Sequence, residues 1–148
     1  QTRQNWYRLD EQIRQSIVMM EPKWSEKEIE FDVDMMDVEY LGNENLICHV
    51  WDNLLSNAIK FSPCGGTIYI RMMPEGEKIR FSIENEGPQI SEDSMKHIFD
   101  KFYQGDSSHK QEGNGLGLAL VKQILNLCMG TVSVENIPGS GCRFTVIL

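Results

Sequence analysis

The sequence predicts an α/β protein, a two-layer sandwich in which helices cover one face of a mixed, mostly antiparallel sheet. Segments with apolar residues at alternate positions are typical of half-buried strands. They interleave with segments whose apolar residues recur every three or four positions, as in helices. Short turn-forming clusters join several strands as hairpins, which makes most neighbouring strands antiparallel. At 148 residues the chain is long enough for one such domain.

The predicted order is a helix, one or two strands, a helix, a hairpin, a short helix, a long loop, a helix and a final hairpin. The helices are predicted over residues 6–20, 44–61, 91–99 and 116–127. The strands are predicted over residues 29–34, 38–41, 67–72, 79–83, 131–134 and 142–148.

The apolar stripes of the three longer helices predict which face of each is buried. They are Trp6, Leu9, Ile13, Ile17 and Met20 in the first helix, Ile47, Trp51, Leu54, Ala58 and Phe61 in the second, and Leu116, Leu120, Ile124 and Leu127 in the last. Ser91 is a suitable N-cap for the short helix. Gly130 is expected to close the last helix.

Composition excludes several classes of protein. The net charge of −8 argues against binding to a nucleic-acid duplex or to an anionic membrane surface. No apolar run is long enough to span a membrane, so this chain itself is not expected to be membrane-inserted. The four cysteines lack CxxC spacing, which favours unpaired thiols over a metal or redox motif.

Two local patterns suggest a ligand site. Asn53, Asn57 and Lys60 lie along one edge of the long helix, beside its buried stripe. They form either a solvated edge or a functional one, although asparagine is a poor helix former and its repetition favours a function. Residues 113–118, Gly-Asn-Gly-Leu-Gly-Leu, precede a helix. They are either a flexible entry loop or a phosphate cradle, since glycine lets the backbone approach an anion at a helix N-terminus.

Five motifs in order resemble the catalytic ATP-binding domain of bacterial sensor histidine kinases, the Bergerat type shared with gyrase and heat-shock chaperone ATPases. They are Asn53-Leu-Leu-Ser-Asn57-Ala-Ile-Lys60-Phe, Asn85-Glu-Gly87-Pro-Gln-Ile90, Ile98-Phe99-Asp-Lys-Phe102-Tyr103, Gly113-Asn-Gly115-Leu-Gly117-Leu and Gly139-Ser-Gly141. The resemblance covers about residues 7–148. It implies that residues 1–22 form the linker or end of the dimerisation-helix region and the first helix of the domain, and that residues 23–148 form the ATP-binding catalytic domain.

The resemblance implies roles for individual residues. Asn57 would hold Mg²⁺ through its amide oxygen, a hard ligand that suits this ion. Lys60 would meet the ATP phosphates, and Asn85 takes the place of the family's adenine-reading aspartate. Thr145 would support the adenine. The other expected ATP-binding residues are Gly87, Ile90, Lys101, Phe102, Tyr103, Gly113, Gly115, Leu116, Gly117 and Leu118.

Asn53 carries the mechanistic implication. Hydrolysing relatives have a glutamate at this position that activates water as a general base, which an amide cannot do. Asn53 therefore predicts phosphoryl transfer to a protein acceptor, with Asn53 and Lys60 as the catalytic residues. Asn85 and Gln89, which replace an aspartate and a glycine of the family pattern, predict weaker nucleotide binding.

No histidine of this chain is followed by the acidic residue expected of the phosphoacceptor. The resemblance thus implies an acceptor histidine on dimerisation helices of the same protein, a response regulator as the next acceptor, and a membrane-anchored homodimer with this domain in the cytoplasm. An anti-sigma-type serine kinase and a degenerate nucleotide-binding or docking module are the alternatives.

Overall fold

The computed structural model describes residues 3–103 and 116–148. Within these ranges the strands are β1 (Asn5–Arg8), β2 (Glu30–Met35), β3 (Glu39–Gly42), β4 (Thr67–Glu75), β5 (Lys78–Asn85), β6 (Thr131–Asn136) and β7 (Cys142–Ile147). The helices are α1 (Leu9–Met19), α2 (Glu21–Glu26), α3 (Glu44–Phe61), α4 (Glu92–His97) and α5 (Gly117–Leu127). None of these helices combines the length and the apolarity that a bilayer span requires.

The main sheet has five strands in the order β2-β4-β5-β7-β6. The pair β2–β4 is parallel and the other three pairs are antiparallel. The β4–β5 hairpin turns at Gly76, whose positive φ of 65° suits glycine. β1 and β3 form a separate two-stranded antiparallel sheet. The predicted mixed, mostly antiparallel sheet is confirmed.

The helices pack on one face of this sheet. Trp51 of α3 is fully buried against Phe81 of β5, with 4.7 Å between ring centroids. Its indole nitrogen donates a hydrogen bond of 2.8 Å to the Gln12 side chain, which fixes α1 to α3. The opposite sheet face bears polar side chains, among them Arg71, Ser82 and Arg143. The predicted two-layer sandwich is therefore confirmed.

The predicted helix over residues 6–20 is wrong at its start. Residues 5–8 form β1, in which Trp6 pairs with Leu41, and α1 begins only at Leu9. The cause is a buried anchor at Asp10. Its carboxylate accepts hydrogen bonds from Arg8, Arg14 and the Val38 backbone, which holds the preceding segment extended along β3.

The last helix buries a different stripe from the one predicted. Leu120 and Leu127 are exposed, whereas the buried residues are Ala119, Val121, Ile124 and Leu125. Apolar residues lie almost all around this helix, so periodicity alone does not select a face. Packing against α3 selects it. The left-handed residue that ends the helix is Met129, at φ 61°, rather than Gly130.

Candidate functional site

One edge of α3 carries the polar residues that the sequence singled out. Asn53, Asn57 and Lys60 are all half-buried and adjoin the buried Leu54 and Ala58. The helix begins at a cap in which the Asn43 side chain accepts from the Leu46 backbone N–H. The sequence prediction for this edge is therefore confirmed in its geometry.

Asn53 lies directly against the start of α5. Its amide donates to the His49 carbonyl oxygen at 2.7 Å, which fixes the rotamer. A Cβ placed on Gly117 would lie only 2.8 Å from the Asn53 Oδ1. Glycine at residue 117 thus permits the close approach of the first and fourth sequence motifs.

The residue at the N-cap position of α5 has an apolar side chain. This residue is Leu116, and the first turn of the helix contains no acidic residue. Its backbone N–H groups and the positive end of the helix dipole thus face the α3 edge without an acidic neighbour in that turn. An anion such as a phosphate is favoured at such a point.

The loop after β5 packs against the other end of α3. Gly87 adopts a φ of 127°, which only glycine adopts readily. A side chain there would collide with the Phe61 carbonyl oxygen. Lys27 stabilises this helix end by donating to the Ile59 and Lys60 carbonyls at 2.8 and 3.1 Å. The second motif is therefore held beside Lys60.

Asn85 ends β5 and is 1% exposed. Its Nδ2 donates to the Glu86 carbonyl at 2.8 Å, which leaves the amide oxygen as an acceptor. The Cys142 thiol lies 3.9 Å from that oxygen. Burial raises the pKa of Cys142 to about 11, so the thiol is a neutral donor at physiological pH.

The structure corrects the expected role of Thr145. Asn85 pairs with Cys142 across β5 and β7, and Thr145 lies three residues further along β7. Because side chains alternate along a strand, Thr145 faces the opposite side of the sheet, in the groove with Ser82 and Arg143. Cys142 is the residue that the sequence reasoning missed. The available signal was Gly141 directly before it: any side chain at residue 141 would collide with the Asn85 backbone, so glycine there marks the close approach of the two strands.

Asn136 holds the loop that contains Ile90. Its amide accepts from the Ile90 N–H and donates to the Ile90 carbonyl, both at 2.8 Å. The Gln89 amide donates to the Ile137 carbonyl at 2.7 Å, so this side chain is directed towards the end of β6. The loop is thus fixed from two directions, and Ile90 is buried.

The segment after α4 is also partly fixed. The Tyr103 hydroxyl hydrogen-bonds with Ser94 at 2.9 Å, and its ring lies 5.5 Å from that of His97. Lys101 and Phe102 are exposed. Leu118 packs against the core at the start of α5. Gly113 and Gly115 lie outside the described residues, as does most of the predicted loop over residues 100–115.

The described residues thus bring together three amide or ammonium side chains, a glycine turn and the N-terminus of α5. Their chemistry is complementary to a ligand with an anionic end and a hydrogen-bonding base. Residue 53 on this edge is an asparagine, and its amide cannot act as a general base for water as a carboxylate could.

Comparison with known proteins identifies the class. Residues 42–148 match the family described as histidine kinase-, DNA gyrase B- and HSP90-like ATPase. The chain belongs to this family. Within it, the relatives and structural neighbours below place the chain among the catalytic domains of sensor histidine kinases.

The chain is 34% identical over 122 residues to the heme sensor protein HssS of Staphylococcus saprophyticus, an alignment that covers 82% of this chain and 26% of HssS. It superposes on the mycobacterial sensor histidine kinase MprB with a TM-score of 0.89 at 26% identity, covering 99% of this chain and 97% of that one.

A third neighbour is histidine kinase ThkA in complex with the response regulator protein TrrA. The TM-score is 0.82 at 26% identity, covering 98% of this chain and 41% of the ThkA chain. The chain thus spans about a quarter of the length of HssS and less than half of this longer ThkA chain.

Proposed function

We propose that this chain binds Mg-ATP and transfers the γ-phosphate to a histidine on dimerisation helices of the same protein. The observation that carries the proposal is the contact between the Asn53 amide oxygen and Gly117 at the start of α5, whose first turn contains no acidic residue. That contact brings an amide-lined helix edge to a phosphate-binding helix terminus.

The residues divide the task by their chemistry. Asn57 would hold Mg²⁺, which supplies charge neutralisation of the phosphates when bound. Lys60 would contact the phosphates as a positive charge, and Asn53 would orient the acceptor or the γ-phosphate. The Asn85 oxygen would accept from the adenine amino group, supported by Cys142 rather than Thr145.

The acceptor would lie outside this chain. The residues that directly follow His49, His97 and His109 are Val50, Ile98 and Lys110, and none of them is acidic. The ThkA–TrrA complex supports a response regulator as the next acceptor. We further propose that the complete protein is a membrane-anchored homodimer with this domain in the cytoplasm.

The first experiment is calorimetry of ATP and ADP binding with and without Mg²⁺, beside Asn57→Ala. Magnesium-dependent binding that is lost in the variant is expected. Transfer is then tested by adding the dimerisation helices of the complete protein in trans. Absence of binding at millimolar nucleotide would refute the proposal and favour a docking module.

A further inference from the structure

A cluster of three potential metal ligands lies on α3, on the turn before Asn53. The Cys48 sulfur, a His49 ring nitrogen and an Asp52 carboxylate oxygen all lie within 4.8 Å of one another. It is the one group of three such side chains found this close within residues 3–103 and 116–148. None of these three side chains has a role in the nucleotide site described above; His49 contributes only its backbone carbonyl, which accepts from Asn53.

Helix geometry explains why these residues converge. Cys48 and Asp52 are four residues apart and His49 and Asp52 are three apart, and both spacings place side chains on neighbouring parts of one helix face. Asp52 therefore lies between the other two. The ligand atoms of a tetrahedral Zn²⁺ site are about 3.5 Å apart, given its bond lengths of about 2.0–2.3 Å. Rotation about side-chain bonds can bring the three ligand atoms from within 4.8 Å of one another to about 3.5 Å without moving the helix.

The surroundings are anionic and open. A groove between α1 and α3 runs beside the cluster and is lined by Gln15, Met19, Glu44, Cys48 and Asp52. Burial, and then the charges of Asp52 and Glu44, raise the pKa of the Cys48 thiol, which is held by a hydrogen bond to the Asn45 carbonyl. A divalent cation would reverse this balance, because it stabilises the thiolate.

We propose that Cys48, His49 and Asp52 bind a borderline divalent transition-metal cation of the Zn²⁺ type. The sulfur, nitrogen and oxygen donors suit Zn²⁺ or Co²⁺ and not Mg²⁺, which prefers oxygen ligands alone. Water completes the fourth position. The thiolate and the carboxylate balance the two positive charges, and the thiol proton is released to solvent on binding.

The site is separate from the proposed Mg²⁺ position at Asn57, which lies more than one turn further along α3. Its occupation needs no nucleotide, so it can be tested whether or not the proposed kinase activity is correct. The His49 ring would bind the cation, while the backbone carbonyl oxygen of the same residue accepts the hydrogen bond from the Asn53 amide.

The test is a Co²⁺ titration of the reduced chain without nucleotide, followed by Zn²⁺ competition. One Co²⁺ per chain is expected, with a thiolate-to-metal charge-transfer band that Zn²⁺ abolishes. Cys48→Ser should remove the band, and His49→Gln and Asp52→Asn should each weaken affinity at least tenfold.

Two matched controls are available. Cys64 is an exposed cysteine outside the cluster, and His97 with Asp100 repeats the histidine–aspartate spacing without a cysteine. Cys64→Ser and His97→Gln should bind Co²⁺ as the parent does. Circular dichroism confirms that each variant is folded. If Cys48→Ser does not fold, the Co²⁺ affinity of His49→Gln, a substitution at an exposed residue, tests the proposal in its place. No band, or a band lost in Cys64→Ser instead, would overturn the proposal.

Discussion

Gly117→Ala separates the stability of the domain from its catalytic geometry. The added Cβ would lie 2.8 Å from the Asn53 Oδ1, whereas ordinary contacts begin at 3.4 Å. Since the obstacle is the end of a side chain and not backbone, Asn53 can move by about 0.6 Å, the difference between those two values. Its hydrogen bond to the His49 carbonyl would then be strained or lost.

The two effects on the free energy of unfolding nearly cancel. Gly117 is not among the glycines with positive φ, and alanine at such a position stabilises by about 0.4–1 kcal/mol, chiefly by restricting the unfolded chain. A displaced Asn53 rotamer costs about 0.5–1.5 kcal/mol. The free energy of unfolding should therefore change by less than about 1 kcal/mol. Phosphoryl transfer should fall about tenfold, because misplacing a catalytic group by about 1 Å can cost two orders of magnitude.

Urea unfolding gives the stability, and transfer to the dimerisation helices of the complete protein gives the rate. The matched control is Gly117→Ala in an Asn53→Ala background, where the displaced oxygen is absent and the added substitution should have almost no further effect on transfer. A wild-type transfer rate in Gly117→Ala, or a loss of more than about 2 kcal/mol in stability, would refute this account.

Three further predictions concern the fold and the base-binding end of the site. Asp10→Asn should lower the free energy of unfolding by about 2 kcal/mol, measured with urea at pH 7, because the buried carboxylate accepts from Arg8, Arg14 and Val38. Both guanidiniums are partly exposed, so solvent screening limits the loss. These contacts hold the pKa of Asp10 well below its usual range. Its contribution is therefore present above the unfolded-state pKa of about 4 and is lost as the pH falls, so Asp10→Asn should weaken the acid dependence of stability. Asn85→Asp should tighten ATP binding by about 1 kcal/mol in calorimetry, since a carboxylate is the stronger acceptor for the adenine amino group, and unchanged affinity would argue against base contact at this residue. Asn136→Ala should destabilise by about 2 kcal/mol and weaken ATP binding, because the backbone of the buried Ile90 loses both partners, whereas the exposed Asn126→Ala should do neither.

Periodicity predicted most of the fold because most elements have one polar and one apolar face. The α3 stripe illustrates this, since four of its five predicted residues are buried and Phe61, at the helix end, is half-buried; the four are Ile47, Trp51, Leu54 and Ala58. Periodicity failed where the same sequence pattern is compatible with either a helix or a strand. Trp6 continues the helical spacing of α1, but the long-range hydrogen bond of Asp10 with Val38 and the pairing of β1 with β3 make its segment a strand. Those contacts join residues far apart in sequence, and no local pattern encodes them.

The candidate site was predictable where its chemistry lies within one element. Asn53, Asn57 and Lys60 share a helix edge at fixed spacing, so the sequence alone placed them together. Thr145 was misassigned because its orientation depends on strand register. A single-residue change in register exchanges the two faces of a strand, and only the pairing of Asn85 with Cys142 establishes which face is which.

That register also determines the chemistry expected where Asn85 and Cys142 are proposed to contact the base. Asn85 does not titrate, and the Cys142 thiol, with its pKa raised to about 11, stays protonated throughout the neutral range. Two neutral groups would therefore contact the base, where a carboxylate would add a charge-assisted hydrogen bond. If the proposed function is correct, most of the nucleotide affinity would then come from the phosphate end, through Lys60 and the α5 N-terminus. Substitution of Lys60 should accordingly weaken binding more than any change at Cys142.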